Sequence, residues 1–271
     1  KAINIAKKNK VQSLKTYFNY KIAEKLNTEF DVIHASGVFF HLEELISCIK
    51  GVKLLLKTRG LFIIQFINLN EIIEKNNFDQ IYHEHLYYYN LNSLQMLLKR
   101  FDLEIFDATK SLIHGGSTIA YVSHKGIYKN TRRLEKFKNK ETKNTNKLLK
   151  KVKKFEANVK LMKNNFLRRV NYYKNHNYNI HMLGAPAKAS TIVNYFKIDE
   201  SLIEKCYDIN QFKIGKNVPG TKIKILNEKK IKKIHSKEIF LIMSWNYKNS
   251  IIKKFKAKFG KKFKYFFPYK Y

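Results

Sequence analysis

The stretch from residue 31 to residue 66, DVIHASGVFFHLEELISCIKGVKLLLKTRGLFIIQF, decides the fold class. Asp31–Ala35 (DVIHA) has the apolar character of a buried strand. A helix follows over His41–Leu56, with Leu42, Leu45, Ile46, Ile49 and Val52 returning at helical spacing. Thr58, Arg59 and Gly60 turn the chain into Leu61–Phe66 (LFIIQF), which is apolar on both faces, as a central parallel strand is. Strand, helix and strand in succession make an α/β fold.

Working outward, Ala2–Asn9 reads as the end of a helix and Val11–Tyr17 as a short strand. Leu103–Phe106 and Thr118–Val122 are strand-like on either side of His114-Gly115-Gly116-Ser117. From residue 130 to 176 the pattern changes. Leu148, Val152, Phe155, Val159, Met162, Phe166 and Val170 recur at steps of four and three, which predicts one apolar stripe on a long Lys-rich helix packed across a domain. The α/β rhythm then restarts: strand Asn179–Leu183, turn Gly184–Lys188, helix Ala189–Phe196, strands Cys206–Ile209, Lys222–Leu226 and Glu238–Ser244, and helix Tyr247–Phe259. The expected organisation is an α/β domain over 1–124, a connecting helix over 125–177 and a second, smaller α/β domain over 178–271.

The chain has 271 residues, 44% of them hydrophobic and 14% aromatic, which supports a packed core and argues against disorder. Two cysteines, Cys48 and Cys206, exclude a disulfide framework and a four-cysteine zinc site. No apolar run is long enough for a bilayer, and the first residues lack the hydrophobic run of a signal peptide. The expectation is a soluble, cytoplasmic protein with no membrane partner. Lys and Arg number 54 against 21 Asp and Glu, a formal charge of +33. Residues 125–174 hold 18 basic and 3 acidic side chains and residues 248–271 hold 9 and none, whereas the first 124 hold 15 and 12. Only six basic residues are arginine, the side chain suited to bidentate phosphate or base recognition. The excess therefore reads as a solvated surface rather than a nucleic-acid site, with attraction of an anionic small molecule as its milder use.

The densest chemistry lies in Phe78-Asp79-Gln80-Ile81-Tyr82-His83-Glu84-His85-Leu86-Tyr87-Tyr88-Tyr89. Histidine is matched to proton abstraction near neutral pH, and a nearby carboxylate can fix its tautomer. His83 and His85 stand two apart, so the HExxH zinc spacing is absent and no metal site is expected. From composition alone, a surface His/Tyr loop explains the cluster equally well. Gly115 and Gly116 permit close backbone approach to a ligand, as they would in any hairpin turn. Gly184–Lys188, at a strand-to-helix turn, offers backbone N–H groups and Lys188 to an anion. It has neither GxGxxG spacing nor GK[ST], so dinucleotide binding is not supported.

IYHEHL, HGGS, GAPAKAST, YDIN followed by PGT, and Trp245-Asn246 occur in this order. Together they resemble the S-adenosylmethionine-dependent C-methyltransferases that act on nucleotide-linked keto-deoxysugars, over essentially the whole chain. The resemblance implies a class I, Rossmann-like methyltransferase domain followed by a second Rossmann-like domain. It also implies S-adenosyl-L-methionine as cofactor and a nucleotide-linked sugar as substrate. By the same resemblance His85 is the general base at the carbon beside the ketone, Tyr82 and Glu84 orient substrate or base, and His41 is an active-site histidine. Ala35 and Ser36 would touch the cofactor. His83, His114, Gly115, Gly116 and Ser117, with Gly184, Pro186 and Lys188, would line the sugar-nucleotide side.

Against that family, Lys1–Ala6 match the helix just after the acidic residue that binds the cofactor ribose, and Gly37 and Gly51 are the only glycines before Gly60. The expectation is an incomplete methyltransferase domain, in which Val11–Tyr17 is poorly paired or displaced. Gln65 stands where relatives carry an acidic residue. Two other readings compete with an enzyme fragment: a non-catalytic sugar-nucleotide-binding remnant, and a basic nucleic-acid-binding protein. The last requires the lysines of 125–174 and 248–271 to gather on one face among exposed aromatics.

Overall fold

The computed structural model describes residues 2–111, 113–145 and 147–269. The chain divides into two units of interleaved sequence, 1–69 with 86–146 and 70–85 with 147–271. In chain order, the first unit begins with α1 (Ala2–Lys8), α2 (Tyr20–Leu26), β1 (Phe30–Ser36), α3 (Leu45–Leu55) and β2 (Leu56–Ile67). Helix α4 (Leu69–Lys75) and a 3-10 turn at Phe78–Gln80 lead through the second unit. The chain then returns for α5 (Leu91–Lys99), β3 (Leu103–Ser111), β4 (Ser117–His124) and α6 (Arg132–Thr145). The rest of the second unit is α7 (Leu148–Asn175), β5 (Asn179–Leu183), α8 (Ala187–Phe196), β6 (Lys205–Asp208), β7 (Lys224–Asn227), β8 (Glu238–Ile242), α9 (Lys248–Phe259) and β9 (Tyr265–Phe266).

The first sheet has the order β1-β2-β4-β3, with β1 parallel to β2 and β4 antiparallel to both neighbours. Strand β2 is central. Phe62, Ile64 and Phe66 are buried there, and Phe39 and Tyr89 pack edge-on or tilted against that core. Strand β1 forms as expected but is not buried: Val32 is 54% exposed and Phe30 39%. It pairs with β2 on one side, and no described residue ladders with its outer edge. Val11–Tyr17 is not a strand. It joins no ladder, and Tyr17 is 92% exposed, so the expected displacement goes as far as loss of the strand. The helix anticipated from His41 begins at Leu45, because Phe39–His41 forms a separate 3-10 turn whose phenylalanines are buried.

The long helix expected over 130–176 is two helices, α6 and α7, fastened to different units. Thr131 caps α6: its hydroxyl accepts from the Leu134 N–H at 3.1 Å and donates to the Asp107 carboxylate of β3 at 2.6 Å. The Arg133 guanidinium bonds the same carboxylate and holds it below the usual carboxylate range. Farther along, Glu141 accepts from Asn68 and from the Asn92 N–H. Helix α7 instead buries Val159, Phe166 and Val170 in the core of the second unit. The apolar stripe read from the sequence lies wholly on α7.

The second sheet is all parallel, in the order β7-β6-β5-β8-β9. Strand succession reverses at β5, so β6 and β7 run off to one side and β8 and β9 to the other. Such a reversal opens a crevice outside the carboxyl ends of β5 and β8, the usual ligand position in doubly wound sheets. Among the described residues no helix is long and apolar enough to cross a membrane.

His181, in the middle of β5, is 3% exposed and lies 3.5 Å from Glu238 and 4.0 Å from Glu204. Burial outweighs the two carboxylates and lowers its pKa below the ordinary 6.5. The folded state therefore resists protonation that the unfolded chain accepts. The contribution is complete above 6.5 and is lost as the pH falls below it. In denaturant titrations at about pH 7.5 and about pH 5.5, His181→Gln should lose less stability on acidification than the parent. Identical pH sensitivity of the two proteins would refute the assignment.

Candidate active site

Two groups of side chains assemble, one in each unit. In the second unit the 3-10 turn at Phe78–Gln80 is followed by Tyr82–His85. His85 is 7% exposed, and its Nδ1 lies 2.7 Å from the Gln80 carbonyl oxygen. A carbonyl only accepts, so Nδ1 carries the proton and the lone pair resides on Nε2, the arrangement a general base needs. The Tyr82 ring lies 4.1 Å from the imidazole, centroid to centroid, and the Tyr82 carbonyl accepts the His85 backbone N–H at 2.9 Å. His83 and Glu84 are exposed on the same turn.

The turn is anchored from behind. Phe78 enters the core of the second unit and stacks on Phe196 of α8 at 5.4 Å. Asp79 has no solvent exposure; its carboxylate accepts the Trp245 indole N–H at 2.6 Å and lies 3.9 Å from the Lys188 ammonium. Lys188 Nζ also donates to Asn246 Oδ1 at 2.9 Å and sits 3.4 Å above the Trp245 ring. Burial drives both partners toward neutrality, raising Asp79 and lowering Lys188 to about 8. Lys188, read from sequence as a substrate contact, thus has its amine engaged inside the unit.

Gly184 and Pro186 build the turn that leads into α8, at the crevice. Gly184 has φ +85°, and a Cβ there would overlap the Ser244 side chain. Ala185 donates its N–H to Asp208 at the end of β6, and its carbonyl accepts from Lys213. The carboxylate that would meet a ribose in a dinucleotide-binding sheet is therefore used to brace the turn.

In the first unit a polar chain crosses the strand ends. Ser36 donates to Gln65 Oε1 at 3.0 Å, Gln65 Nε2 donates to Ser117 Oγ at 2.9 Å, and Ser117 donates to the Ile113 carbonyl at 2.8 Å. Gln65, 3% exposed, thereby joins an expected cofactor residue to an expected substrate residue. A carboxylate at position 65 could only accept, which would redirect the Ser117 proton away from Ile113. Gly115 and Gly116 have φ of 83° and 144°, as the tight return between β3 and β4 requires. The His114 side chain lies outside the described residues. The His41 ring lies tilted against Phe40, 4.5 Å centroid to centroid, and lines a cavity of about 330 Å³ with Tyr17, Phe18, Val38, Leu42 and Glu43.

Residues 112–268 match the family described as C-methyltransferase C-terminal domain, more than half of the chain. It belongs to the C-methyltransferase family. Residues 1–108 match a second family, described as methyltransferase domain. The C-methyltransferase NovU of Streptomyces niveus is 24% identical over 252 residues, which cover 92% of this chain and 60% of that protein. The chain thus spans about three fifths of the length of that relative.

Sequence reasoning gave no role to three residues of this family member that the structure places in the assemblies: Asp79, Gln65 and Asn246. Asp79 was visible as a carboxylate inside the His/Tyr cluster, and Gln65 as a departure from the family's acidic residue. Neither signal points to a partner, because Asp79 and Trp245 are 166 positions apart in the chain.

Proposed function

We propose that this chain carries out S-adenosylmethionine-dependent methylation of the carbon beside the ketone of a nucleotide-linked keto-deoxysugar, with His85 as general base. The observation that carries the reading is the His85 Nδ1–H bond to the Gln80 carbonyl, which supports an imidazole with its lone pair on Nε2. A proton next to a ketone is acidic enough for such a base if the developing enolate is stabilised. Tyr82, tilted against the ring, and Glu84 orient substrate or base. His83 and the Gly115–Ser117 and Gly184–Pro186 turns take the sugar-nucleotide side.

The end of β1 fits a methyl donor. Ala35 and Ser36 have small side chains, Gly37 at φ +62° presents backbone rather than a Cβ, and Gln65 fixes the Ser36 hydroxyl. S-adenosylmethionine, when bound, supplies an electrophilic methyl group on a sulfonium. Ala35, Ser36 and Gly37 would contact it, and His41, beside its cavity, completes that side.

Incubation with S-adenosylmethionine and a nucleotide-linked keto-deoxysugar should yield the sugar with one new carbon–methyl bond, seen by mass and carbon NMR. A methyl group found on oxygen or nitrogen, or an unchanged sugar, would count against the proposal. The nucleic-acid reading has one groove in its favour, where Lys237, Lys256 and Lys264 meet Tyr172, Tyr178 and Tyr265. Two of those lysines are already engaged, Lys264 with the Tyr178 hydroxyl and Lys237 with the His176 carbonyl. That engagement favours the methyltransferase reading.

A further inference from the structure

The Gly184–Lys188 turn and the Phe78–Gln80 turn, which precedes Tyr82–His85, come together through Asp79, Lys188, Trp245 and Asn246 near the carboxyl ends of β5 and β8, where a doubly wound sheet ordinarily receives its ligand. Asp79 reaches the carboxyl end of β8 through Trp245, and Lys188 bridges the Asp79 carboxylate and Asn246 while lying on the indole.

Asp79 is adjacent to Gln80, whose carbonyl receives the His85 Nδ1–H. The Gln80 N–H bonds the Asn77 carbonyl and the Ile81 N–H bonds the Phe78 carbonyl, so the turn is rigid enough to pass the position of one residue to the next. A carboxylate with no exposure and a lysine with little cannot stay charged apart from each other. Removing one partner of such a pair leaves an uncompensated charge, whereas removing both is frequently tolerated.

We propose that Lys188 and Asp79 are positioning residues, which fix the Gln80 carbonyl and with it the tautomer and orientation of His85, and that Lys188 does not contact the substrate's phosphates. This rests on His85 being the base, but it is tested without turnover.

The experiment is nitrogen-15 NMR of the histidine rings in the ligand-free full chain, with the His85 signals assigned from their loss in His85→Gln. The parent should show the Nδ1–H tautomer. Lys188→Met should shift His85 toward a mixture of tautomers, and Lys188→Met combined with Asp79→Asn should restore the parent pattern. In the double variant the side-chain amide oxygen at position 79 still accepts from Trp245, and no buried charge remains. A phosphate-contact role predicts His85 signals unchanged in Lys188→Met, which would overturn the proposal. So would a double variant as perturbed as the single one.

Should Lys188→Met fail to fold, Asp79→Asn against the double variant supplies the same comparison. There the lone lysine is the uncompensated charge, and adding Lys188→Met should bring the His85 signals back. A parent chain that gives the expected spectra, single and double variants included, but forms no methylated sugar would count against the proposed reaction and not against the positioning of His85.

Discussion

His85→Gln is expected to slow exchange of the substrate's proton beside the ketone with solvent deuterium by roughly 10²–10⁴-fold. The glutamine amide can still donate to the Gln80 carbonyl that now receives Nδ1–H, so the turn should keep its shape. What the variant lacks is a basic nitrogen in the position of Nε2. Because exchange needs only the base and the keto-sugar, proton NMR of the nucleotide sugar reads it without methyl transfer. An exchange rate within about threefold of the parent would remove His85 from the role of base, since a positioned base accounts for far more than that.

The largest loss of stability is expected from Gly184→Ala. The backbone sits at φ +85°, where an alanine is strained by about 1–3 kcal/mol, and the new Cβ would overlap Ser244 Oγ and stand 2.9 Å from Ser244 Cβ. Overpacking of this kind adds about 1–3 kcal/mol. The turn has little room to yield, because the Gly184 N–H is bonded to the Tyr207 carbonyl at 2.7 Å and the Met243 N–H to the Leu183 carbonyl at 2.9 Å. Gly215→Ala is the control: its φ is +87°, yet nothing lies within 4 Å of an added Cβ. Denaturant midpoints should place Gly184→Ala well below Gly215→Ala. Equal losses would mean that only backbone conformation, not the contact with Ser244, matters there.

The α/β class was legible in one stretch, because an apolar run between turn residues reports burial directly. The Leu61–Phe66 core and the β5–turn–α8 succession follow from that signal. The exposure of β1 was not legible. DVIHA carries the composition of a buried strand, but burial depends on which strands lie beside it, and that is a property of the assembled sheet. The division of the long helix was hidden for a related reason: spacing shows that a stripe exists, not which core it meets. At the candidate site, resemblance of short motifs singled out Tyr82–His85 and Gly184–Lys188. It did not show that Lys188 is turned inward, because its contacts with Asp79 and Trp245 are made between residues distant in sequence.

The interleaving of the two units has a consequence for the timing of synthesis. The segment 70–85 emerges early, but the Trp245 that bonds Asp79 is made 166 residues after it. At ordinary translation rates that interval is about 10–30 seconds. For most of it Phe78 and Asp79, an aromatic ring and a carboxylate both destined for the interior, wait for Phe196 and Lys188, and Asp79 waits to the end for the Trp245 indole. The nascent chain must therefore tolerate, or have a chaperone cover, a short sticky loop, and the ribosome completes the surroundings of His85 long after it has made His85 itself.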